Sequence, residues 1–139
     1  MKKHIDWQIK FSDFVVKHKD KPFKWGSWDC CMFSDACMKA LSGESVIPKT
    51  LRWKDEKSAL EAIREYGKDL NKSIAKAAKA KNLEKVDLNY LQKGDLVVVQ
   101  QESQLCGVFD GFKVIAPSDH GLVTLPYDKI LSAWRIPNV

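Results

Sequence analysis

The chain has 139 residues, which fits one domain with a core of its own. Its 23 Lys and Arg against 18 Asp and Glu give a formal charge of +5, a surface that attracts nucleic acid, anionic lipid or an acidic partner without specificity. No apolar run is long enough to cross a bilayer.

Residues 5 to 18 place Trp7, Phe11, Phe14 and Val15 at i, i+4, i+7 and i+8, one face of an amphipathic helix. Pro22 and Gly26 then break the pattern. A second helix is expected from about Asp29 to Leu41, burying Cys30, Phe33, Cys37, Ala40 and Leu41 and stopping at Ser42-Gly43. Asp29 is suited to cap it. Asp55 reads as the cap of a third helix that carries Ala59, Leu60, Ile63 and Tyr66 inward and ends at Gly67. A fourth, Asp69 to Lys81, turns Leu70, Ile74, Ala77 and Ala78 inward, and its small residues suit a close helical neighbour.

The character changes at Lys93-Gly94-Asp95. The run Leu96-Val97-Val98-Val99 reads as a strand buried on both faces. Leu105–Phe109 and Phe112–Ala116 flank Asp110-Gly111, which predicts a two-residue hairpin turn. Further strands are expected at Gly121–Leu125 and Ser132–Ile136. Helices first and close-set strands afterwards imply an α+β fold, with the helices packed on a C-terminal antiparallel sheet in a single domain, residues 1–139.

Cysteines stand at 30, 31, 37 and 106. Cys30 falls where loop becomes helix, and unpaired N–H groups with the positive end of the macrodipole favour a thiolate there. Its other reading is a small buried hydrophobe, the reading assigned to Cys31, Cys37 and Cys106. No disulfide framework is expected in a reducing compartment, and Cys30 and Cys37, two turns apart on one helix, are too distant to bridge. With no C-x2-C or H-x3-H pair, and with histidines scattered at 4, 18 and 120, neither a metal site nor a cofactor is expected. Trp25, Trp28 and Trp134 read as core or groove walls, Trp25 packing under the loop that presents Cys30.

The pattern Trp25-Gly26-x-x-Asp29-Cys30-x-x-Phe33, then Gly94-Asp95 opening a strand, then a Leu105-x-Gly107-Val108 hairpin, resembles the NlpC-type papain-like cysteine peptidases. That resemblance implies a papain-like fold in which the Asp-Cys pair starts the nucleophile helix and Gly-Asp opens the sheet. Active members carry a His-x-Gly general base on the next strand, an orienting polar residue on the strand after it, and cleave cell-wall stem peptides. More closely, Phe23 to Phe33, Gly94 to Val98, Gly121-Leu122-Val123 and Ala133-Trp134-Arg135-Ile136 are similar to a phage- and prophage-encoded branch of the superfamily, often found among tail-tip genes.

The base is missing from its expected place. Gly107 aligned with the glycine of His-x-Gly puts Leu105 in the base position, and Val114-Ile115-Ala116 offers no orienter. A thiol without imidazole lacks both proton acceptor and ion-pair partner. The first expectation is therefore a degenerate peptidase: a tail-tip assembly component, made in the bacterial host cytoplasm and carried in the virion tail, with other tail proteins as partners. Two alternatives stay open. One is an active cell-wall peptidase or amidase, with Cys30 as nucleophile and His120 of the Pro117–Gly121 loop as base. The other is nucleic-acid binding through the lysines between 72 and 85.

Overall fold

A computed structural model describes residues 1–139, apart from the side chain of Tyr127. Four helices precede a six-stranded sheet: α1 (Trp7–His18), α2 (Cys30–Ser42), α3 (Glu56–Gly67) and α4 (Leu70–Ala80), then β1 (Glu84–Lys85), β2 (Leu96–Gln100), β3 (Gln104–Phe109), β4 (Val114–Ser118), β5 (Gly121–Leu125) and β6 (Ile130–Arg135). The strand order is β1-β6-β2-β3-β4-β5, with every pair antiparallel. The fold is α+β.

Local chemistry sets the helix limits. Asp29, Asp55 and Asp69 each accept a backbone N–H from the first turn that follows, and Asp55 with Ser58 completes a capping box. Gly43, at φ +83°, ends α2 in the left-handed conformation and returns its N–H to the Lys39 carbonyl. The small residues of α4 let α3 approach closely, since a Cβ on Gly67 would lie 2.6 Å from Ser73 Cα. Leu60 departs from its expected inward position: it is exposed on α3, while Ala59 is buried.

The sheet buries both faces, and β2 alternates between them. Leu96 and Val98 join Phe33, Met38, Leu41, Cys106, Val108, Ile115 and Trp134 in the core beneath the helices. Val97 and Val99 join Phe109, Val114, Ile130 and Ala133 on the other face, closed over by Val86, Leu91 and Leu125. A strand with apolar partners on both sides needs an unbroken β-branched run, which is what residues 96–99 supply.

The hairpin after β3 is wider than two residues. Phe109 pairs with Val114, leaving residues 110–113 as the loop. The Asp110 carboxylate accepts the N–H groups of Phe112 and Lys113, each at 2.8 Å, and Gly111 takes φ +106°. This Asx geometry outcompetes a tight turn and leaves Phe112 in solvent. Likewise β6 begins at Ile130, two residues before the expected start, because a register shift opposite Val98 and Val99 accommodates the exposed Leu131.

Two motifs meet in one buried contact. The Asp95 side chain, 0% exposed, receives Arg135 Nε and Nη2, each at 2.9 Å, and the Gln92 N–H at 2.8 Å. Residue 95 precedes β2 and residue 135 ends β6, so the pair fastens adjacent strands at the end of the sheet.

Candidate functional site

The site is built around the start of α2. Residues 24 to 28 form a tight loop closed by a Lys24–Trp28 bridge. Gly26 sits at φ +84° with its Cα so close to the Trp53 carbonyl that a Cβ would lie 2.5 Å from the oxygen. Asp29 gathers this arrangement. Oδ1 accepts the Met32 N–H at 2.9 Å, and Oδ2 accepts the Gly26 N–H at 2.9 Å and Trp53 Nε1–H at 2.6 Å. Asp29 is thus the expected cap, and also the tie between the loop, α2 and the segment that leads into α3. The bond to Trp53 has no local sequence signal.

Cys30, the first residue of α2, is half-buried and borders a cleft of about 470 Å³. Phe23, Trp25 and Trp53 contribute aromatic walls, Leu60 and Ile63 come from α3, and Leu105 comes from β3. Trp25 is a wall of this cleft, 37% exposed and edge-on to Phe23, rather than packing beneath the loop as expected. Trp28 takes the buried role, in contact with Phe14, His18 and Phe33.

Behind Cys30 the protein presents sulfur. Cys31 and Cys106 are buried with their Sγ atoms 3.6 Å apart, and the three Sγ atoms of Cys30, Cys31 and Cys106 all lie within 4.8 Å of one another. Hydrogen bonds from the Cys106 and Cys31 thiols, aided by the backbone of the same residues, hold Cys30 well below the ordinary thiol range against the opposing pull of burial. The Cys106 and Cys30 contacts, together with burial, push Cys31 well above it, and the Cys30 contact with burial does the same for Cys106 against the opposing effect of Cys31. Cys106 Sγ is placed to donate to Cys31 Sγ, and the trio favours its one negative charge at Cys30. Cys37 stands apart, its thiol pushed up by burial alone.

Strand register explains why Cys106 reaches the site. Cys106 pairs with Val98, and both point into the core under the helices. Leu105, in the position where the resemblance puts a base, pairs with Val99 and is an apolar wall of the cleft. Gln104 reaches toward α4 and accepts the Asn71 N–H at 2.9 Å. On β4, Ile115 and Ala116 are buried and apolar.

Among the described residues no histidine lines the cleft or hydrogen-bonds Cys30. His120 occupies the exposed β4–β5 turn, its N–H directed to Ser118 Oγ. His18 lies against Phe14 and Trp28. His4 lies beside Gly43. On α4, Lys72, Lys76 and Lys79 share the exposed side, and Lys76 is engaged over the Tyr66 ring and at its carbonyl.

Sequence reasoning located Cys30 and Asp29 but separated Cys31 and Cys106 from them. The available signal was the alternation of β3, which puts 104, 106 and 108 on the helix side once its pairing with β2 is known. No helix is long and apolar enough to cross a membrane. No curated protein matches the sequence. A family model does match, over residues 2–136, and the chain belongs to that family, described as "Domain of unknown function (DUF6950)".

Proposed function

We propose that this chain is an NlpC-type, papain-like domain that has lost proteolysis and serves as a structural component of a phage or prophage tail tip. One observation carries the loss of chemistry: the thiol at the start of α2 is surrounded by two other thiols where a peptidase needs an imidazole. Acyl transfer to Cys30 requires a group that protonates the departing amine, and buried thiols pushed above their ordinary range are poor proton donors at neutral pH. The helical half followed by an antiparallel sheet, and the Gly94-Asp95 and Trp134-Arg135 motifs meeting in one ion pair, support the kinship.

The test is incubation of the purified protein with cell-wall stem peptides, followed by mass spectrometry. The expected result is no turnover above that of Cys30→Ala; turnover that disappears in Cys30→Ala contradicts the proposal. The structural role has its own check, because virions of a phage encoding the chain should contain its peptides. Virions that lack them contradict it.

The second reading, a cell-wall peptidase or amidase using Cys30, draws on the lowered ionisation of that thiol and on the cleft at its side. It requires the β4–β5 turn to carry His120 to the sulfur. It predicts that His120→Ala abolishes turnover.

A further inference from the structure

The three sulfurs have a use that does not depend on peptide chemistry. Around one ion at the ordinary metal–thiolate length of about 2.3 Å, three sulfurs stand about 4 Å apart. Here the closest pair, Cys31 and Cys106, is separated by 3.6 Å, and no pair exceeds 4.8 Å, so sub-ångström side-chain movements reach that triangle. The geometry points to a three-sulfur site, Cys30, Cys31 and Cys106, for a soft thiophilic cation of the Cu(I) class.

Preorganisation favours it. Cys30 and Cys31 open a capped helix, and Cys106 lies within a strand paired along its length with β2. Neither backbone needs to fold around the ion.

A second observation comes from Ser34. Its side chain is 2% exposed, its hydroxyl finds no hydrogen-bond partner in the fold, and it neighbours Cys106. An orphan donor next to a buried sulfur is the outer contact that a metal-bound thiolate uses. The N-terminus of α2 offsets negative charge from the other side.

The donor set selects the ion. Among the described residues no histidine, carboxylate or fourth cysteine joins the cluster, and thiolate-only, low-coordinate sites suit Cu(I), whereas structural zinc takes four ligands. Cys31 and Cys106 each exchange an S–H bond for a metal–sulfur bond and release the proton to solvent, while Cys30 binds through the sulfur that already carries the negative charge. The ion keeps its oxidation state. Cys30 faces the cleft, which gives the ion a way in.

The experiment is an anaerobic titration of the reduced full-length protein with Cu(I) against a chromophoric Cu(I) chelator, followed by X-ray absorption of the loaded protein. The expected result is one equivalent withheld from the chelator, with three sulfur neighbours at about 2.3 Å. Cys31→Ser and Cys106→Ser, confirmed as folded by circular dichroism, should each weaken binding at least tenfold and lower the sulfur count to two. Cys37→Ala should leave both unchanged. Failure of the wild-type protein to compete with the chelator overturns the site, whatever the variants do. So does an unchanged sulfur count in either serine variant, and oxygen or nitrogen neighbours completing a four-coordinate ion overturn the three-coordinate assignment. None of these outcomes bears on whether stem peptides are hydrolysed, so the two proposals fail separately.

Discussion

A carboxylate that accepts bonds from a loop, a helix and a distant indole holds three segments at once, and Asp29 does this while 1% exposed. Asp29→Ala removes the cap and leaves the Gly26 N–H and the Trp53 indole without their acceptor. The expected loss is about 3 kcal/mol in urea unfolding, from a cap and two charge-assisted bonds. Asp29→Asn keeps an acceptor oxygen and should lose about half as much. His18 gives a pH signature. Burial, followed by Lys21 and Lys17, lowers its ionisation below the ordinary 6.5, so the unfolded chain binds the proton more readily than the folded one. Stability should therefore rise with pH between the folded value and about 6.5 and fall on acidification through that window. Unfolding midpoints of the wild type and His18→Gln across pH 5 to 7.5 check this: the difference between them should carry the slope, and parallel curves contradict it.

At the scale of elements, what could be read from the sequence follows from how local each signal is. Four helices and five of the six strands are legible because capping aspartates, terminal glycines and periodic apolar positions act within a few residues. The loop at 110–113 misled because Asp110-Gly111 is compatible with two turn geometries, and the Asx bonds that decide between them require Phe112 to leave the strand. The strand β1 carries no local signal. Glu84 and Lys85 are exposed, and they are strand only because β6 pairs with them. Packing between elements also sets a limit that sequence hides at Gly107, where a Cβ would lie 2.5 Å from the Ile115 carbonyl oxygen. Gly107→Ala must push β4 away from β3, and a loss of about 1 to 3 kcal/mol is expected in chemical denaturation; an unchanged midpoint contradicts the close approach.

Across the whole molecule, the Asp95–Arg135 pair and the sulfur cluster depend on contacts between residues 40 and 75 positions apart. Gly94-Asp95 and Trp134-Arg135 were visible as motifs, but their meeting was not, because it needs β6 inserted between β1 and β2. Arg135→Ala leaves the fully buried Asp95 carboxylate without its guanidinium, with an expected loss of about 3 to 5 kcal/mol. Arg135→Lys, which retains the charge without the two-pronged geometry, should fall between. The candidate site divides the same way. Cys30 could be placed at a helix start from the residues around it, whereas Cys106 joins it only through the register of β3 on β2 and the packing of α2 over that strand.

Thiols and backbone groups, rather than an imidazole, lower the ionisation of Cys30. The rate of Cys30 alkylation by iodoacetamide against pH, followed by peptide mass spectrometry in metal-free buffer, tests this directly. The expected ionisation lies below the ~8.5 of a free thiol, unchanged in His120→Ala and shifted upward in Cys106→Ala. A profile that moves upward in His120→Ala and stays in place in Cys106→Ala would contradict it.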